Sequence, residues 1–313
     1  MKKFNDQIPP EIESFLTELN KNPQPPQETL SVNERREGYL YIRSWAGESE
    51  SVHKIEDVLI QTNGRDIKVR AYIPTKETVP ILIYFHGGIF ALGDLETHDI
   101  PLRSLANASN CIILAVDYRR APEFKFPAPL EDAWEVLNWS AENGSSLGGD
   151  TTRIAVGGDS AGGNIATVLS RWSRDKKGPN IKLQVLIYPM LDALGSSKSF
   201  QDYDEGYFMT SKGLLSGYDY YLTESDDRKH EDISPFWSKD LSRLPPAFIL
   251  TAQFDPLRDE GETYALKLRQ AGTDAFNIRY SGMIHGFFQF GDIIPQGKTA
   301  ITETASILRM FLY

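Results

Sequence analysis

Gly158-Asp159-Ser160-Ala161-Gly162 follows the apolar run Ile154-Ala155-Val156 and leads into Asn164-Ile165-Ala166-Thr167-Val168-Leu169. This order predicts a sharp strand-to-helix turn with Ser160 at its apex, the arrangement of a nucleophile elbow. Small residues two before and two after the serine allow a strained reversal, and the following helix aims its N-terminal N–H groups at the same point. By itself the string arises by chance in roughly one chain of this length in ten. A serine hydroxyl is a poor nucleophile near neutral pH. The reading therefore requires a base within hydrogen-bond reach and a carboxylate to orient that base.

Five histidines can supply the base. His53 precedes a hairpin strand, His230 lies in the charged segment Asp226 to Asp232, and His98 sits in Gly93-Asp94-Leu95-Glu96-Thr97-His98-Asp99; these three read as solvated or structural. His285, in Gly282-Met283-Ile284-His285-Gly286-Phe287-Phe288, falls just past the last predicted strand. Asp255 ends the run from Ile249 and precedes Pro256, which places it in the loop after the preceding strand, with a helix N-cap as its alternative use. Asp259 and Glu260 fall inside the next helix and read as first-turn acids. Ser160, Asp255 and His285 thus leave one edge of a sheet in the chain order of the α/β hydrolases, which differs from the chymotrypsin and subtilisin orders. His86-Gly87-Gly88 ends another strand on that edge. Backbone N–H groups of such a loop can face a developing oxyanion, with Ala161 supplying the remaining donor.

The elements that must position these residues are legible as a rhythm. From Ile81 onward, short apolar runs alternate with helical patterns, which predicts successive βα units and a mainly parallel sheet. The expected strands are Ile81 to Phe85, Ile112 to Val116, Ile154 to Val156, Leu183 to Ile187, Ala247 to Thr251 and Phe276 to Tyr280. Leu130, Ala133, Trp134 and Leu137 fall at helical spacing, as do Ile301, Ala305, Leu308 and Leu312. Lys54 to Ile60 and Ile67 to Ile73 flank Thr62-Asn63-Gly64-Arg65, a hairpin signal. Two segments stand outside the rhythm, and both read as helical. In the first, Ile12, Phe15, Leu16 and Leu19 form an apolar stripe, Asn22 to Pro26 breaks it, and Ser31 with Glu34 forms a capping box for a helix running toward Trp45. The second is rich in aromatics. The expected organisation is N-terminal cap helices over residues 1–50 and a catalytic domain over 51–313, with a cap insertion at about 191–237.

Composition narrows the classes further. A chain of 313 residues with 41% hydrophobic content fills a sizeable core. Thirty-three Lys plus Arg against 43 Asp plus Glu give a net charge of −10, and no basic stripe with interleaved aromatics occurs, so nucleic acid is excluded as a partner. Cys111 is the single cysteine and opens an apolar run, which predicts an inert buried thiol. Met1-Lys2-Lys3 runs into Asn5, Asp6, Gln7, Pro9 and Pro10 rather than an apolar stretch, so the expectation is a cytoplasmic protein without an integral membrane segment.

Six stretches together resemble the hormone-sensitive-lipase-like carboxylesterases. They are His86-Gly87-Gly88 with Gly93 to Asp99, Asp117-Tyr118-Arg119-Arg120-Ala121-Pro122-Glu123, Gly158 to Asn164, Asp255-Pro256-Leu257, and Gly282 to Phe287. The resemblance implies an α/β-hydrolase fold: a mainly parallel eight-stranded sheet flanked by helices, with a helical cap. It implies Ser160 as nucleophile, His285 as general base and acid, and Asp255 as its orienting partner. It also implies hydrolysis of short to medium acyl esters without a metal or organic cofactor, by a monomer or homodimer. An amidase, arylformamidase or peptidase can use the same triad, and a ligand-binding receptor can use the same fold, although the receptors that resemble this family lack the triad histidine. Two departures stand out. Arg120 replaces a usual leucine, and Ile89 occupies the position of a third glycine in the oxyanion loop. The oxyanion-binding residues are expected to be Gly87, Gly88, Ile89 and Ala161, and if the resemblance carries over, the donors are the N–H groups of Gly88, Ile89 and Ala161. A β-branched residue resists positive φ, so a loop that needs that freedom must rearrange, and the side chain crowds the space beside the oxyanion. Esters of tertiary alcohols are therefore expected to be poor substrates. Ile89→Gly should raise the ratio of tertiary to primary ester hydrolysis in parallel assays, and an unchanged ratio contradicts the crowding.

Overall fold

The computed structural model describes residues 8–21, 25, 29–62 and 64–313, and every apolar run named above becomes a strand of one sheet. The strands are β1 (Lys54–Thr62), β2 (Arg65–Ile73), β3 (Val79–Phe85), β4 (Ile112–Asp117), β5 (Gly149–Asp159), β6 (Ile181–Ile187), β7 (Ala247–Phe254) and β8 (Ala275–Ile284). Their order is β1-β2-β4-β3-β5-β6-β7-β8. β1 pairs antiparallel with β2 and β2 antiparallel with β4, while the remaining pairs are parallel. Thr62 opposes Arg65, which leaves a two-residue hairpin turn; Gly64 there takes φ +98, and Asn63 lies outside the described residues.

Ten α-helices appear among the described residues: α1 (Pro10–Lys21), α2 (Val32–Tyr39), α3 (Arg43–Ala46), α4 (Asp99–Ser109), α5 (Ala128–Asn143), α6 (Ala161–Asp175), α7 (Lys198–Asp202), α8 (Ser211–Tyr221), α9 (Arg258–Gln270) and α10 (Gln296–Leu312). β3 is buried along its whole length because helices cover both faces of the sheet. Ile81, Ile83 and Phe85 belong to the core shared with α5, α6 and α9, whereas Leu82 and Tyr84 belong to the core shared with α4 and α10. The predicted stripes are buried accordingly: Leu130, Ala133 and Leu137 on α5, and Ile301, Ala305, Leu308 and Leu312 on α10. None of the described helices is long and apolar enough to cross a membrane. Cys111 is fully buried, and burial pushes its thiol up to about 11, out of reach of ordinary thiolate chemistry.

The irregular segments match their expectation only in part. The Ser31 and Glu34 capping box forms as read, and helical backbone continues through a 3₁₀ turn at Leu40–Ile42 to Ala46, where Gly47 at φ +97 ends it. The stripe on α1 buries Ile12, Phe15 and Leu16, while most of the break after it lies outside the described residues. Residues 191–237 are helical only at α7, α8 and a 3₁₀ turn at Pro235–Trp237, with left-handed turns at Gly195 and Gly206 interrupting the rest.

The elbow departs from its sequence reading in an informative way. The strained residue is Ser160 itself, at φ +54 and ψ −117, between the end of β5 and the start of α6. The glycines serve space instead. A Cβ on Gly158 would stand 2.3 Å from the Phe85 carbonyl oxygen, and one on Gly162 only 1.8 Å from it. Gly162→Ala should therefore destabilise the fold by about 3 kcal/mol or more through overpacking against β3. On helix propensity alone the same change gains about 1 kcal/mol, so the sign of the shift in the urea midpoint separates the two accounts.

Candidate active site

Four loops leave the carboxyl ends of β3, β5, β7 and β8 on one edge of the sheet, and each carries one of the sequence-predicted groups. Ser160, Asp255 and His285 are all buried. His285 Nδ1 lies 2.8 Å from Asp255 Oδ2, which fixes a donor and acceptor pair across the ends of β7 and β8. The other carboxylate oxygen, Oδ1, accepts the Leu257 N–H at 2.8 Å, so Asp255 also closes the turn into α9, which begins at Arg258 rather than at Pro256. The Tyr188 ring rests against His285 with centroids 4.6 Å apart and limits how the imidazole can tilt. Ser160 and His285 both line a cavity of about 160 Å³. Its remaining wall is mostly apolar, with Ile42, Leu92, Phe208, Met209 and Phe290, and it takes residues from both irregular segments.

The loop after β3 adopts three successive positive φ values: Gly88 at +117, Ile89 at +51 and Phe90 at +62. The isoleucine has therefore not forced the backbone out of the left-handed region. The two non-glycine residues carry strain of about 1–3 kcal/mol each, which the surroundings must offset. Ile89 lines the cavity, and its β-carbon also seats against Gly217 on α8. The backbone N–H groups of Gly88 and Ile89 have no protein partner among the described residues. Gly87 is a correction. Its N–H donates to Asp159 Oδ1 at 2.9 Å, so it is spent on the scaffold and is not free to face an oxyanion. His86 supports the loop from within: its ring stacks on Tyr118 at 4.3 Å and Nδ1 donates to the Gly87 carbonyl at 2.9 Å. Burial first, with His98 adding to it, pushes His86 down to about 3, so this imidazole stays neutral and structural.

Asp159 is the residue that sequence reasoning missed, although it stands beside the serine in the string. It is buried, and besides Gly87 it accepts Tyr84 Oη at 2.9 Å and the Gln289 amide at 2.7 Å, with His98 Nε2 at 3.2 Å. Burial acts to raise its pKa, but His98 beside it and the hydrogen bonds from His98 and Tyr84 outweigh that and hold the carboxyl below the usual range. His98 is thus structural, as read, but buried rather than solvated. His53 is exposed, and His230 stands at the surface.

A family model for the alpha/beta hydrolase fold matches residues 82–289. The chain belongs to the α/β-hydrolase family. Within that superfamily it is a hormone-sensitive-lipase-like carboxylesterase. It is 38% identical over 267 residues to a carboxylesterase of Mycobacterium tuberculosis, covering 83% of each chain. It is 34% identical to an arylesterase of Saccharolobus solfataricus, covering 90% of this chain and 92% of that one. A thermostable esterase from Pseudomonas putida superposes with a TM-score of 0.96 at 32% identity, covering 99% of both chains.

Glu260 is a first-turn acid, as its place in the sequence implies, yet it does not face solvent. It is 1% exposed, and its Oε1 accepts the Leu191 N–H at 2.5 Å, which ties α9 to the loop after β6. Burial above all, with Asp192 and Asp255 nearby, pushes its pKa well above the carboxylate range. The folded state then binds a proton that the unfolded state releases above its ordinary value of about 4.5, so this group costs stability progressively as pH rises from there. Glu260→Gln should raise Tm relative to wild type by more at pH 8 than at pH 5. An equal offset at both pH values in thermal scans contradicts the buried, protonated carboxyl.

Proposed function

We propose that Ser160, His285 and Asp255 form the catalytic triad of this carboxylesterase and that the acyl group of the ester passes through Ser160. The observation that carries the reading is the 2.8 Å pair between His285 Nδ1 and Asp255 Oδ2, beside a cavity that His285 and Ser160 share. Asp255 holds the imidazole in the tautomer that leaves Nε2 free to accept a proton, and its charge stabilises the imidazolium that forms. Ser160 Oγ gives its proton to His285 as it attacks the ester carbonyl. The N–H groups of Gly88, Ile89 and Ala161 take the charge on the carbonyl oxygen. His285 then protonates the departing alcohol. Water repeats the sequence on the acyl-enzyme and frees the acid, with no metal or organic cofactor in any step.

The cavity supports a preference for short acyl groups. A volume of about 160 Å³ is close to that of an apolar cavity that holds benzene, about six carbons. Its apolar lining favours the alkyl part of such a group over a charged one. Ser160→Ala should lower kcat for p-nitrophenyl butyrate by at least about 10³-fold. Across p-nitrophenyl esters from acetate to decanoate, kcat/KM should peak at or below about six acyl carbons. An alanine variant with most of its activity, or a maximum at decanoate, contradicts the assignment or the size limit respectively.

A further inference from the structure

Ile89 and Phe90 keep left-handed backbone without being glycine, and the side chains of both pack against one helix, α8. Gly217 lies in α8, and a Cβ built on it would stand 2.5 Å from Ile89 Cβ and 2.9 Å from the Ile89 carbonyl oxygen. The missing side chain at position 217 is therefore filled by the isoleucine. One residue on, the Phe90 ring lies flat on Tyr221 with centroids 4.1 Å apart and an 8° interplanar angle, and Tyr218 tilts against it at 5.7 Å. Gly217, Tyr218 and Tyr221 are all buried, so the loop rests on the packed face of α8. From the other side, Arg36 on α2 donates to the Ala91 carbonyl at 2.9 Å and to the Ala121 carbonyl at 3.0 Å, and the Ala121 N–H donates to the Phe90 carbonyl at 2.9 Å. Arg35 joins the two helices by donating to Ser216 Oγ at 3.0 Å.

We propose that α8 is the positioning element of the oxyanion loop, with Gly217 as the socket that receives Ile89 and so sets the direction of the Gly88 and Ile89 N–H groups. This rests on the reading of those N–H groups as oxyanion donors. The segment that walls the acyl cavity then has a second role: it holds the charge-stabilising groups in a conformation the loop's own residues disfavour. A helix acting only as a wall affects substrate binding, whereas a helix acting through the donors affects kcat, because the oxyanion exists only as the reaction proceeds.

The test uses the full chain, p-nitrophenyl butyrate and thermal unfolding as the folding control. Gly217→Ala is expected to lower kcat by about 10- to 100-fold while KM stays within about threefold, since a small misplacement of donors costs rate rather than binding. The double variant Ile89→Gly with Gly217→Ala removes the side-chain collision and leaves only the tighter contact with the residue-89 carbonyl oxygen, so it is expected to recover kcat by about threefold or more over Gly217→Ala. Tyr221→Leu, which removes the stack under Phe90, provides a second route and is expected to lower kcat at near-constant KM if Gly217→Ala does not fold. An unchanged kcat in Gly217→Ala or, where that variant does not fold, in Tyr221→Leu overturns the proposal, as does a loss that Ile89→Gly fails to relieve. A wild-type protein without esterase activity overturns both this inference and the triad reading, whereas an active wild type with an equally active Gly217→Ala overturns this inference alone.

Discussion

Asp159 ends β5, and its carboxylate accepts the N–H of Gly87, the second residue past the end of β3. That bond joins the loop bearing Ser160 to the loop bearing the unpartnered N–H groups. The same carboxylate is reached by His98, just before α4, and by Gln289, just after β8, so three strand ends and one helix start converge on a single buried charge. A buried charge of this kind is expensive unless every lone pair is used, and here the partners are present. The sheet brings the strand ends together. Asp159 then fixes how their loops lie relative to one another.

Around that anchor, strain and space are traded locally. Ser160 sits at positive φ so that its side chain clears the sheet, and the glycines flanking it let the elbow press against the Phe85 carbonyl. Ile89 and Phe90 sit at positive φ as well, and α8 supplies the packing that offsets their cost. Outliers of this type persist only where neighbours over-determine them. Both sets border the cavity, which is where pre-organised groups are most useful to a reaction that develops charge.

Much of this was legible in the residues. Ser160, Asp255 and His285 stand out because each follows directly on an apolar strand and each is of a type the chemistry requires. At its carboxyl end β5 reads too short in the sequence because Gly157 and Gly158 look like a strand end. In the sheet they continue the strand, pairing with Tyr84 and Phe85 on β3 and with Val185 and Leu186 on β6. Glu260 falls in the first turn of α9 as expected, but periodicity along the helix does not reveal that it faces the Leu191 backbone. Gly87 reads as an oxyanion-binding residue because nothing in a His-Gly-Gly string shows which N–H the scaffold consumes. The pairing of Ile89 with Gly217 joins residues far apart in the chain, and only the packing of α8 on the loop makes it visible.

The central claim is that Ser160 is a nucleophile activated by the His285 and Asp255 pair. Mass spectrometry of peptides after brief exposure to a fluorophosphonate tests it most directly, because the reagent leaves a stable phosphonyl group on an activated serine. The account predicts one adduct per chain, on the peptide at Ser160, and its loss in His285→Ala. No adduct, or an adduct elsewhere that is indifferent to His285, contradicts it.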